Sequence, residues 1–115
     1  MIINDSTGKV LAKESHVMSS FIKKAWGLMF RSSVKGGFVF PFGRETKWDS
    51  AVHSFFVFTP LTVVWLDKDK RVFDVRLLKP FTVAVPNGRA KWVVELPEHS
   101  FKDVNVGDIF SWILR

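Results

Sequence analysis

Two apolar runs, residues 52–58 and 61–66, separated only by Thr59-Pro60, constrain this chain more than any other feature. Val52-His53-Ser54-Phe55-Phe56-Val57-Phe58 and Leu61-Thr62-Val63-Val64-Trp65-Leu66 are nearly continuous rather than alternating. A strand with one wet face alternates apolar and polar side chains, whereas a continuous run needs cover on both faces. Neither run approaches the roughly 20 apolar residues of a membrane helix. Pro60 marks a bend between the two strands, because proline cannot donate to a central ladder.

The remaining punctuation extends this into a mainly β chain. Met1 to Asn4, the turn Asp5-Ser6-Thr7-Gly8 and Lys9 to Ala12 read as a hairpin. Asp67-Lys68-Asp69-Lys70 turns the chain into a strand over Arg71 to Leu78. A short strand within Phe81 to Val85 precedes the turn Pro86-Asn87-Gly88. Lys91 to Leu96 is a strand stopped by Pro97, and Glu98 to Val106 is irregular or a short helical turn. Gly107-Asp108 is a tight turn ahead of a last strand, Ile109 to Leu114.

Phe38 to Phe42 forms a further strand, interrupted at Pro41, and the polar stretch Gly43 to Ser50 is expected to be an exposed loop. One helix is expected over about residues 20–30, where Phe21, Ile22, Ala25, Leu28 and Met29 share a face and Ser19 or Ser20 caps the first turn. The expectation is a single domain, residues 1–115. It is an antiparallel β-sandwich or partly closed β-barrel of about eight or nine short strands, with the helix packed against an open end.

Composition narrows the chemistry. Hydrophobic residues make up 47% of the chain and aromatics 15%, the opposite of a disordered segment. With no cysteine there is no disulfide, thiol nucleophile or thiolate zinc site. The start, Met1-Ile2-Ile3-Asn4-Asp5-Ser6, lacks the charged and apolar regions of a signal peptide, so the expected location is cytoplasmic, with no membrane partner. The net charge is +6, and residues 20–47 carry Lys23, Lys24, Arg31, Lys35, Arg44 and Lys47 against Glu45 alone. That stretch is either a solvated face or a surface for a polyanion.

No nucleophile elbow, phosphate-binding glycine loop or dinucleotide fingerprint occurs. His16 and His99 have no partner at a ligand-like spacing, so neither a metal nor a cofactor is expected.

Three segments then line up in order: Gly27-Leu28-Met29-Phe30-Arg31; the Pro60-Leu61 bend with Val63-Val64-Trp65-Leu66-Asp67; and Val93-Val94-Glu95-Leu96-Pro97 with Val106-Gly107-Asp108. Together they resemble the "domain of unknown function 192" family over residues from about 10 to 112. Val52-His53-Ser54-Phe55-Phe56-Val57 looks like its archaeal variant. The resemblance implies a mostly antiparallel β-sandwich or barrel carrying one helix, and it implies no known substrate, cofactor or reaction. The chain departs from the pattern at Thr62, where the family usually has aspartate, and at Gly37-Phe38, where it usually has Gly-Met.

Six side chains are candidates for ligand binding: Arg31, Arg44, Lys47, Trp48, His53 and Glu95. Arg31 suits either an anion clamp or an ion pair with Glu95 or Asp108. Glu95 lies within an apolar strand, facing solvent or a barrel interior, and an inward carboxylate would need Arg31 or His53 as partner. Arg44, Lys47 and Trp48 combine two cations with a flat aromatic in the 43–50 loop. Asp108 is expected to cap its turn. The leading expectation is a non-enzymatic binding module for a small or anionic ligand. The alternatives are single-stranded nucleic-acid binding through the basic 20–47 region, and a hydrolase using Glu95 or Asp108 with His53. The last strand, over Phe110 to Leu114, could also pair between subunits, and the oligomeric state is open from sequence.

Overall fold

Leu61–Leu66 forms a strand in which all six side chains are buried, as the unbroken apolar run requires. The computed structural model describes residues 1–17, 37–47, 52–53, 60–79 and 82–113, and the expected helix over 20–30 lies outside these. Among the described residues there are ten strands and one short 3-10 helix. The strands are β1 (Ile2–Asn4), β2 (Lys9–Ala12), β3 (Ser15–Val17), β4 (Gly37–Thr46) and β5 (Val52–His53). They continue with β6 (Leu61–Leu66), β7 (Val72–Leu78), β8 (Val83–Ala84), β9 (Ala90–Pro97) and β10 (Phe110–Trp112).

A five-stranded sheet runs β3-β4-β9-β6-β7, a three-stranded sheet runs β10-β1-β2, and β5 pairs with β8 in a separate ribbon. All pairings are antiparallel except β3 with β4. The two larger sheets meet edge to edge at a single bridge, Arg71↔Ile109. Around it Phe110 N donates to Lys70 O at 2.9 Å and Val72 N donates to Asp108 O at 2.8 Å. The result is a sandwich joined along one seam, a barrel only partly closed.

The central sheet is buried on both faces. Its inner face sends Val39, Val64, Leu66, Val94 and Leu96 against Ile2, Leu11 and Phe110 of the smaller sheet. Its outer face carries a second cluster built on Phe38, Phe40, Val63, Trp65 and Val93, over which Ala84 of β8 packs. Full burial of each such side chain is worth roughly 1.5–3 kcal/mol, so β6 and β9 are the thermodynamic centre of the fold. The 3-10 helix, Glu98–Asp103, packs on β6, β7, β9 and β2, and Val104 behind it enters the inner core.

Two expectations about the chain between Phe38 and Ser50 change. The strand does not stop at Phe42 but continues as β4 to Thr46, with a register shift between Pro41 and Thr46. Beyond Val39, β4 has no neighbour on its β3 side among the described residues. The extra residues are absorbed as a bulge: Pro41 faces Trp92 and Thr46 faces Ala90, five steps on one strand against two on the other.

Candidate functional site

Glu95 is the chemical anomaly of the outer face. It is 1% exposed and stands in register between Phe38 of β4 and Val63 of β6. Directly opposed residues share a face, so its carboxylate belongs to the outer apolar cluster and not to the barrel interior. Neither sequence option, solvent or barrel lumen, describes this position. The carboxylate faces outward from the barrel, yet the outer face is itself covered.

Beside this row lies a polar group that the sequence reading did not single out. Val63 faces Arg76, and in the next row Trp65 faces Asp74. Arg76 Nη2 donates to Asp74 Oδ2 at 2.9 Å, and its guanidinium carbon sits 5.5 Å from the Trp65 ring centroid. Asp74 also accepts from Asn87 N at 3.0 Å and is 8% exposed. The i, i+2 spacing of Asp74 and Arg76 within a strand was the available signal, since it puts both on one face. Arg76 lies two strand steps, roughly 10 Å, from Glu95.

Arg44 and Lys47 occupy a different place. Both are exposed on the far end of β4, where Thr46 pairs with Ala90. That register sets them beside Arg89 and Lys91, cations more than forty residues away in sequence. Lys68 N donates to Glu45 Oε2 at 3.3 Å, which brings the 67–70 turn to the same end. Lys91 is four residues from Glu95 along β9, roughly 13 Å.

His53 pairs through its backbone with Val83 in the β5–β8 ribbon. Arg31 and Trp48 lie outside the described residues, as does any convergence of Arg31, His53 and Glu95. Asp108 is the turn cap expected of it: Oδ2 accepts from Asn105 N at 2.9 Å and from Asn4 Nδ2 at 2.7 Å. Its partner Asn4 is fully buried at the edge of the inner core, on the opposite side of the central sheet from Glu95. Those two carboxylates therefore do not face a common cleft.

At the Pro97 end of β9, a groove of about 520 Å³ runs along β2, lined by Val10 to Glu14, Pro97 and His99. Among the described residues, Arg44, Lys47 and Glu95 do not line it. Among the described residues, no three His, Asp or Glu side chains are grouped to hold a metal, and no helix is long and apolar enough to cross a membrane.

The family model DUF192, described as uncharacterized ACR, matches residues 2–112. The chain belongs to this family. The UPF0127 protein of Pyrococcus abyssi is 36% identical over 116 residues, covering 98% of this chain and 97% of that protein. Its counterpart in Pyrococcus horikoshii is 34% identical, covering 97% of this chain and 98% of that protein. Both are archaeal, in keeping with the variant that the 52–57 segment resembles.

A crystal structure from Sinorhizobium meliloti, of a protein proposed to be a transcription regulator, superposes with a TM-score of 0.79 at 19% identity. It covers 96% of this chain and 88% of the other. A protein of unknown function from Novosphingobium aromaticivorans gives a TM-score of 0.73 at 21% identity, over 85% and 74% of the two chains. These likenesses show a shared fold. Within it, Thr62, which departs from the family's usual aspartate, donates from Oγ1 to Pro97 O at 3.0 Å and to Glu98 O at 3.2 Å. The position fastens β6 to the start of the 3-10 helix.

Proposed function

We propose that this DUF192 protein is a non-enzymatic binding module for an anionic ligand, held at the basic end of the β4–β9 pair. The observation that carries the reading is the Thr46↔Ala90 register, which adds Arg89 and Lys91 to the Arg44 and Lys47 expected from sequence. Four cations from two distant segments stand near one sheet end, and a local excess of positive charge raises the concentration of anions there. Trp48, next to Lys47 in the sequence, supplies a flat aromatic for a sugar or base.

A thermal-shift panel of sugar phosphates, nucleotides and dicarboxylates tests this. A ligand at ten times its dissociation constant adds about 1.4 kcal/mol, which moves the melting temperature of a domain this size by about 5 °C. The expected result is such a shift in wild type that shrinks in Arg44→Ala/Trp48→Ala and in Arg89→Ala/Lys91→Ala. Equal shifts in all three proteins, or none across the panel, overturn it.

A further inference from the structure

We propose a second binding site, for a small aliphatic carboxylate, in the groove of about 520 Å³ along β2. The volume falls within the range of small-molecule sites. The groove lies at the Pro97 end of β9, opposite the end that carries Arg89 and Lys91. It shares no residue with that basic end, so either site can fail without the other.

The first argument is the shape and chemistry of the walls. Val10, Leu11 and Ala12 of β2, with Pro97 of β9, give the groove an aliphatic lining. Val10 is 45% exposed, so its side chain offers apolar surface to a ligand rather than to the core. The 3-10 helix Glu98–Asp103 supplies the facing wall and is fastened at both ends. At its start Thr62 Oγ1 donates to Pro97 O at 3.0 Å and to Glu98 O at 3.2 Å. At its end Lys9 Nζ of β2 donates to Asp103 Oδ1 at 2.9 Å. The groove is therefore preformed, and binding need not order its walls.

The second argument is where the 3-10 period puts charge. With three residues per turn, residues three apart share a face. Ser100 and Asp103 form the face turned to the sheets, since Ser100 is 1% exposed and Asp103 reaches Lys9. Glu98 and Phe101 share another face. His99 and Lys102 share the third, and His99 lines the groove. Lys102 is thereby set on the groove side, across from Lys13, which lines the groove just past the end of β2. Lys13, His99 and Lys102 are all exposed, and the lining holds one carboxylate against them, Glu14. Two ammonium groups and an imidazole beside an aliphatic strip complement a molecule with an apolar body and a carboxylate head.

Amide NMR titrations with butanoate, hexanoate, octanoate and the neutral analogue octanol test the proposal. The carboxylates should shift the amides of residues 10–14 and 99–102, and each added CH₂ should tighten binding about two- to fourfold. Lys13→Gln/Lys102→Gln should weaken octanoate about three- to tenfold and leave octanol unchanged, with the melting temperature of wild type. Val10→Ser should weaken octanoate more than butanoate. Octanol binding as tightly as octanoate, or affinity independent of chain length, overturns the proposal. Shifts confined to residues 89–91 overturn it and favour the basic end instead. An acidic peptide that binds the same amides more tightly than octanoate assigns the groove to a protein partner and also overturns it. No shift with any of these compounds overturns this site alone, because the basic end is judged by its own ligand panel.

Discussion

The ammonium of Lys70 sits 4.3 Å from the Trp112 ring centroid, on the turn that brings β7 to the seam with β10. The same Nζ lies 5.5 Å from the Trp92 ring, and the two indoles meet edge to face at a 5.1 Å centroid separation. This cation–π clasp adds to the backbone hydrogen bonds that join the two sheets along the seam.

Lys70 also has a positive φ of 61°, a conformation that costs a side-chain-bearing residue roughly 1–2 kcal/mol. Lys70→Ala should lose the clasp and keep the strain, destabilising by about 1 kcal/mol. Lys70→Gly loses the clasp but relieves the strain, so it should melt above Lys70→Ala. Urea denaturation orders the two: Lys70→Ala as stable as wild type would show that the ring contacts contribute nothing, and Lys70→Gly melting below Lys70→Ala would show that the positive φ carries no strain.

Asn4 ties three separate elements together. Nδ2 donates to Asp103 O at 3.0 Å and to Asp108 Oδ2 at 2.7 Å, while Oδ1 accepts from Ser6 N at 3.1 Å. Asn4→Ala deletes all three bonds and takes a donor from a carboxylate, for an expected loss of about 2–3 kcal/mol. Asp108→Asn keeps an acceptor for Asn105 N and should cost less. Chemical denaturation of the two variants measures both losses.

Gly37 opens β4 against the smaller sheet. A Cβ there would overlap Ile2 Cδ1 and lie 3.2 Å from both Ala12 Cβ and Leu96 Cδ2. Gly37→Ala should cost about 1–3 kcal/mol by overpacking. Ile2→Val removes the overlapping methyl for about 0.5–1.5 kcal/mol. The double variant is therefore expected to be at least 0.5 kcal/mol more stable than the sum of the singles allows, and strict additivity would place the clash elsewhere.

Ser100 is 1% exposed, and its Oγ has no hydrogen-bond partner among the described residues. A buried hydroxyl without a partner is a net cost, so Ser100→Ala should leave the melting temperature unchanged or raise it. A loss above 1 kcal/mol would contradict that reading of the 3-10 helix.

Glu95 offers a double-mutant cycle. Removing one member of a buried ion pair costs about 3–5 kcal/mol, the loss expected of Glu95→Leu if it has the charged partner that sequence assigns to it. Adding Arg31→Met should recover at least half of that loss if Arg31 is the partner, and adding His53→Leu should do so if His53 is. Additive losses in both cycles would remove both pairings.

The sequence was most legible where one residue type had one physical meaning. Unbroken apolar residues at 61–66 could only be a strand covered on both faces, and Asp108 after Gly107 could hardly be other than a turn cap. It was least legible where meaning depends on register. Polarity made 43–46 read as loop, because nothing local reveals that β9 waits to pair with it. Glu95 could be placed on a face but not assigned to the outer core, since that needs Phe38 and Val63 as its neighbours. Arg89 and Lys91 were not singled out from sequence, and only the Thr46↔Ala90 register sets them beside this end of β4. The Lys70 clasp joins side chains 22 and 42 positions apart, beyond any local pattern.

The place of β1 has a consequence for how the chain reaches this state. β1 is the middle strand of its sheet, with one neighbour a few residues away and the other, β10, paired as Ile2↔Trp112. During synthesis β1 and β2 can form a hairpin at once, but the outer side of β1 waits for almost the whole chain to emerge. Folding therefore includes a closure between segments about 110 residues apart, a non-local contact of the kind associated with slow folding. Until then the apolar side of that hairpin, with Ile2 and Leu11, is the surface most exposed to wrong pairing.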